Sequence, residues 1–340
     1  MATDATPGES APVIENKRLR GAVKPLVSGN KREREARRVV AGRRARRRRD
    51  NLAGHLFLLP WLLGFVLLVA GPMLGSLYLS FTEFNLFDAP EWIGLSNYTQ
   101  MFTTDQRYLH SLRVTGLYVV LSVPLRLVVA LGLAVALNRG LRGLNAYRAI
   151  FYLPSLLGGS VAIAILWRQV FGGDGLVNRT LADLGIQAPN WVADPDWSIY
   201  TLVLLGVWQF GSPAVIFLAG LRQIPGELTE AATVDGAGRA RRFWSITLPL
   251  LTPLIFFNLV FQTIVAFQAF TPAFVVSNGT GGPVDSTLFY TLYLYIQGFG
   301  EFRMGYASAM AWVLLSIVGT FTAVAFWSSR FWVFYEDSRR

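Results

Sequence analysis

The chain has 340 residues, of which 53% are hydrophobic and only 15% charged. Soluble domains carry about 25% charge, so this composition argues against a soluble globular enzyme. There are no cysteines and only two histidines, His55 and His110, which excludes disulfides, thiolate metal sites, cysteine nucleophiles and a histidine-rich metal cluster.

The net charge of +10 is unevenly distributed: residues 1–51 hold 15 Lys+Arg against 6 Asp+Glu, leaving the other 289 residues nearly neutral. This polar segment, ending in Arg43-Arg44-Ala45-Arg46-Arg47-Arg48-Arg49, cannot bury enough apolar surface to offset its ordering entropy. It is expected to be a disordered cytoplasmic tail. An apolar run begins within a few residues, so anionic membrane lipid is its expected partner and nucleic acid is not. All three lysines lie in this tail. The body therefore has no G-x-x-x-x-G-K-[ST] loop and no P-loop ATPase of its own.

Six long apolar segments follow, near 53–80, 111–137, 147–171, 199–221, 247–271 and 306–332. Each has the roughly 20 residues needed to cross a hydrocarbon core of about 30 Å. Lipid offers the backbone no hydrogen bonds, so these spans are predicted to be helices. The expected fold is an all-α membrane protein of six transmembrane helices over residues 52–335, with a short C-tail at 336–340. Pro60, Pro72, Pro124, Pro154, Pro213, Pro249 and Pro253 lie inside or at the mouths of spans, where they bend helices.

Arginine placement sets the orientation. Arg139, Arg142, Arg222, Arg239, Arg241, Arg242, Arg339 and Arg340 occupy one set of loops, and the opposite loops are mainly acidic. Both termini are therefore expected in the cytoplasm. The run Leu288–Ile296 is too short to cross and is expected as a short helix on the outer face.

Between the fourth and fifth spans, cytoplasmic loop 222–246 holds a compact helix signal. Pro225 suits a first helical position. Glu227 and Glu230 fall in the first turns, where the helix dipole favours acids. Ala231 and Ala232 are strong helix formers of little bulk, and Asp235-Gly236 ends or bends the helix. The small residues let another protein approach, while Glu and Asp supply polar contacts.

Polar residues within spans form a second set, because they are costly in lipid and face a cavity or another helix. Trp208 and Gln209 precede Gly211 and Pro213 in the fourth span, where a bend is expected. Asn258, Phe261, Gln262 and Val265 follow i, i+3, i+4, i+7 spacing in the fifth. Amides beside aromatic rings suit a neutral sugar, whose hydroxyls bond amides and whose apolar faces stack on rings; helix–helix hydrogen bonding would use the same residues. Arg126, in mid-span beside Pro124, is expected to play a structural part. No Asp or Glu lies deep in any span, which disfavours the alternative of a stand-alone secondary transporter or channel. No nucleophile or metal cluster supports a membrane enzyme.

Glu230-Ala231-Ala232, Asp235-Gly236-Ala237, Phe243, Ile246 and Leu248-Pro249 resemble the EAA motif of bacterial ABC importer permeases. Phe151-Tyr152-Leu153-Pro154, Asn278-Gly279-Thr280-Gly281-Gly282-Pro283, Tyr293-Leu294-Tyr295 and Gly305-Tyr306-Ala307-Ser308-Ala309 are similar to the carbohydrate-type group, the maltose and glycerol-phosphate permeases. The resemblance covers about residues 52–335. It implies a type I importer permease fold in the bacterial inner or plasma membrane and a non-catalytic transport subunit forming half of a sugar pore. It further implies that Glu230, Ala231, Ala232, Asp235, Gly236 and Ala237 dock into a cytoplasmic ABC ATPase dimer. Trp208, Gln209, Gly211, Asn258, Phe261 and Gln262 would lie on the substrate path. A second permease subunit and an extracytoplasmic sugar-binding protein are the other implied partners. This chain would bind no cofactor, ATP and magnesium being used by the ATPase.

Overall fold

The computed structural model describes residues 57–138 and 144–334. The basic tail, His55, Arg139, Arg142 and the C-tail 336–340 lie outside the described residues. Two compact units divide at Ala70, 1–70 and 71–340. In the first, the described part is an apolar helix ending in a π-helical turn at Val66–Ala70, with Trp61 stacked on Phe65 at 5.5 Å.

The second unit holds α1 (Gly71–Leu79), α2 (Gln106–Leu137), α3 (Leu144–Leu157), α4 (Val161–Phe171), α5 (Ser198–Trp208), α6 (Gly211–Gln223), α7 (Gly226–Val234), α8 (Leu248–Phe267) and α9 (Met304–Trp332). A two-stranded antiparallel ribbon pairs Thr82 with Trp92 and Glu83 with Glu91. Four helical stretches are long and apolar enough to cross a membrane: Phe57–Leu79, Gln106–Leu137, Arg239–Val276 and Met304–Trp332. Two bent pairs bring the number to six if each pair is one span.

The central helix is α2, which packs against α5, α6 and α8. Asp105 caps it, its carboxylate accepting from the Tyr108 N–H at 2.9 Å. The buried side of α2 includes Ser111, Thr115, Ser122, Ala130 and Ala134 beside its larger apolar residues. Small and weakly polar residues of this kind let membrane helices approach closely.

The fourth expected span bends where the sequence indicates, α5 and α6 meeting at 41°. The third differs more. Ala149–Leu157 and Val161–Asp183 meet at 99°, so residues 147–171 do not form one straight helix. Pro154 weakens the first half, Gly158 and Gly159 follow it, and the Ser160 hydroxyl caps the second half by accepting from the Ile163 N–H at 3.3 Å. With 14 residues, α3 is about 21 Å long, short of the hydrocarbon thickness of about 30 Å.

The short helix expected within Leu288–Ile296 forms at Tyr290–Tyr295, yet it is an inserted core element. Leu288, Phe289, Tyr290 and Leu292 are essentially fully buried. The Tyr290 N–H donates to the Thr115 hydroxyl at 2.7 Å, and its phenol donates to the Met310 carbonyl at 2.8 Å. Phe289 packs on Tyr118 of α2, ring centres 4.7 Å apart. Aromatic area and satisfied polar tips together make burial favourable.

Candidate functional site: a loop helix and a polar cluster

The nine residues of α7 are exposed or half-buried, none fully buried. Pro225 sits at the N-cap, one position before the helix. At the other end the Gly236 N–H bonds the Thr233 carbonyl at 3.0 Å and the Ala237 N–H bonds the Ala232 carbonyl at 2.9 Å. Those two bonds make a Schellman cap, whose αL position is Gly236 at φ +76°. Arg242, on the following helical turn, donates to the Thr233 hydroxyl and holds the loop against α7. Glu230, Ala231, Asp235 and Gly236 face outward, with Ala232 and Ala237 half-buried beside them. Among the described residues, the carboxylates of Glu227, Glu230 and Asp235 form no ion pair, and Val234 is 89% exposed. The result is an exposed helical knob whose carboxylates have no ion-pair partner among the described residues.

The polar set within the spans divides. At the α5–α6 break, the Ser155 hydroxyl donates to the Gln209 carbonyl and accepts from the Ser212 N–H, both at 2.9 Å. Those bonds satisfy backbone groups freed by the bend, which lipid cannot do. Gly211 permits the contact, since a Cβ there would lie 2.3 Å from the Phe151 carbonyl oxygen. The Gln209 amide donates to the Gly158 carbonyl at 3.2 Å, and Trp208 lies beside Trp167, ring centres 6.1 Å apart.

On α8, Asn258 and Gln262 are buried, whereas Phe261 and Val265 are about half exposed. Phe261 stacks on Phe257, planes 7° apart. The four residues thus occupy neighbouring stripes rather than one uniform face. Asn258 donates to the Leu254 carbonyl at 2.9 Å, and its side-chain oxygen has no partner among the described residues.

Arg126 joins these helices. Its Nε donates to the Gly206 carbonyl at 2.6 Å and its Nη1 to Gln262 Oε1 at 2.5 Å. It also lines a cavity of about 270 Å³ with Tyr118, Gly159, Gln209, Gln268 and Phe270. Of the six residues proposed for the substrate path, Gln209 lines this cavity and Gln262 borders it through Arg126. Tyr118 and Gln268 were not singled out in the sequence. Tyr118 was legible as two turns before Arg126, hence on the same side of α2.

On the opposite end, the loop after α8 is folded tightly. Asn278, Gly279, Gly281, Gly282, Val284 and Asp285 all have positive φ. Arg107 holds the loop through a bidentate pair with Asp285, both contacts 2.8 Å. Nearby, Tyr293 and Tyr306 both donate to Asp105 Oδ2, at 2.8 and 2.5 Å. Burial, then the bond to Asp105, raises the Tyr293 phenol above its ordinary pKa.

Residues 127–332 match the family described as the inner membrane component of binding-protein-dependent transport systems. The chain belongs to that family. As a permease of this kind it is a multi-pass inner-membrane protein, which removes the reading as a stand-alone secondary transporter or channel. The permease is 56% identical over 291 residues to the probable ABC transporter permease protein YesP of Bacillus subtilis (strain 168), covering 85% of this chain and 94% of that protein. It is 31% identical over 298 residues to the lactose transport system permease protein LacF of Rhizobium radiobacter, covering 86% and 99%. Its fold is that of a bacterial ABC transporter involved in alginate import, with TM-score 0.67, 22% identity and 85% and 98% of the two chains covered. The knob, the α5–α6 break and the outer loop all fall within the family match.

Proposed function

We propose that this permease forms half of the route by which a sugar or oligosaccharide enters the cell. A second permease subunit supplies the other half. A cytoplasmic ATPase dimer, which binds ATP and magnesium, grips α7 through Glu230, Ala231, Ala232, Asp235, Gly236 and Ala237. An extracytoplasmic sugar-binding protein delivers cargo to the end that carries the Arg107–Asp285 loop. The permease itself binds no cofactor. Its part is to relay closure of the ATPase to the membrane helices, a two-state element biased by another subunit.

The observation that carries this reading is the exposed helix at Gly226–Val234, closed by a Schellman cap at Gly236, whose carboxylates have no ion-pair partner among the described residues. The sugar class is supported by LacF, named for lactose transport, and by the amides and rings of α5 and α8. Trp208, Gln209, Gly211, Asn258, Phe261 and Gln262 are the proposed substrate-path residues.

The test is uptake by cells expressing the complete importer. Glu230→Lys or Gly236→Arg abolishes uptake while leaving the permease in the membrane at normal abundance. Normal transport by either variant overturns the coupling role. Accumulation of solute against a gradient by vesicles holding this chain alone overturns the dependence on an ATPase.

A further inference from the structure

We infer that the cargo is an acidic saccharide, and that Arg126 meets its carboxylate or phosphate at the cavity wall. The inference rests on the sugar-permease reading and narrows its substrate class. Arg126 is 94% buried, being 6% exposed, yet it lines the 270 Å³ cavity. A charge at the centre of a membrane helix costs about 2.5–3.5 kcal/mol even on lenient insertion scales, so an arginine there needs a compensating partner. Among the described residues, the one side-chain ion pair is Arg107–Asp285, outside this cavity. The acceptors of the guanidinium among the described residues are both neutral: the Gly206 carbonyl on Nε and Gln262 Oε1 on Nη1. No hydrogen bond from Nη2 occurs among the described residues.

The surroundings are those of a polar binding surface. Gln209 and Gln268 on the same wall offer amide donors and acceptors for hydroxyls, and Tyr118 adds a ring and a phenol. One turn from Gln262, behind the cavity lining, the Asn258 side-chain oxygen is buried without a hydrogen-bond partner among the described residues. As a clasp between helices, Arg126 carries a buried charge that its two neutral acceptors do not compensate. Guanidinium is suited instead to planar recognition of carboxylate or phosphate. The cavity is slightly below the usual size of small-molecule sites, about 300–1,000 Å³, so it takes one charged unit of a saccharide rather than a whole chain.

The experiment measures uptake by the complete importer with three labelled probes: a uronate disaccharide, its carboxyl-reduced neutral counterpart and a sugar phosphate. Because every variant shares one binding protein, the ratio of acidic to neutral uptake isolates this chain. The expected result is transport of at least one acidic probe, with Arg126→Gln lowering the acidic-to-neutral ratio about tenfold or more, the range lost when a hydrogen bond to a charged group is removed. Arg126→Lys, which keeps the charge, retains most of that ratio. Which acid moves, uronate or phosphate, identifies the anion. Should Arg126→Gln fail to reach the membrane, Gln262→Glu reads the same quantity. Its carboxylate would occupy the guanidinium and depress acidic uptake selectively. Equal losses of acidic and neutral uptake in these variants, or a wild type carrying the neutral probe as well as the acids, overturn the inference and leave the sugar-permease reading intact. If the assembled wild-type importer carries no saccharide, the sugar reading falls and this inference with it.

Discussion

At Gly236 the backbone requirement and the proposed contact coincide. Its φ of +76° lies in the αL region, and nothing within 4 Å would obstruct a Cβ. A side chain there would be strained by the backbone and not by its own chain, at about 1–2 kcal/mol. Gly236→Asn is therefore expected to keep more coupled uptake than Gly236→Val, as transport per ATP hydrolysed in the assembled importer would show. Equal activity of the two would detach the αL cap from coupling. At Gln262, truncation to alanine removes the acceptor of Arg126 Nη1 and leaves a buried donor unpaired, about 1–3 kcal/mol. Gln262→Ala should weaken transport while co-purification with the ATPase is unchanged; unaltered uptake kinetics would take Gln262 off the sugar path. The helix stop at Asp235-Gly236 was legible from spacing, because caps act over a turn or two; the coupling role proposed for Glu230 and Gly236 came from the resemblance. Arg126 was legible as an expensive charge. Its partners Gly206 and Gln262 lie 80 and 136 residues away, a distance that no local rule spans.

Among the elements, the two broken spans show what periodicity conveys and what it omits. Gly211 and Pro213 announced the bend between α5 and α6, since one allows close backbone approach and the other removes a hydrogen bond. The sharper turn before α4 was missed, because Gly158-Gly159 within an apolar run also suits a continuous membrane helix. The one local sign was Ser160, which caps the second half. Ser155 completes the fourth-span break with two hydrogen bonds, so Ser155→Ala should cost about 1–3 kcal/mol, read as a lower melting temperature of the detergent-solubilised importer. An unchanged melting temperature would mean that water or lipid headgroups satisfy those backbone groups. The buried helix at Tyr290–Tyr295 was too short to cross, as its length dictated. Its insertion beside α2 depended on the Thr115 hydroxyl and the Met310 carbonyl, which the run itself does not contain.

For the whole molecule, the arginine asymmetry predicts α7 in the cytoplasm and the Asn278–Pro283 loop outside. The absence of cysteine makes this testable with single labels. Val234→Cys should react with a membrane-impermeant maleimide only after the cells are opened, and Val284→Cys, at a position 82% exposed, in intact cells. Labelling of both from one side would refute an odd number of crossings between them. Composition marked six apolar segments and local spacing marked the loop helix; the structure has four long apolar helices with two bent pairs, and the loop helix at Gly226–Val234. Lipid obliges each backbone to satisfy itself locally, and arginine is retained on the inner side whatever the helices later pack against. Tertiary structure alone decided which of the polar residues meet: Asn258 and Gln262 turned inward, Phe261 outward, and Arg126 against a cavity with Gln209. Those choices depend on which faces of α2, α5 and α8 pack together, and packing between distant segments is a property of the assembled bundle rather than of any one stretch of chain.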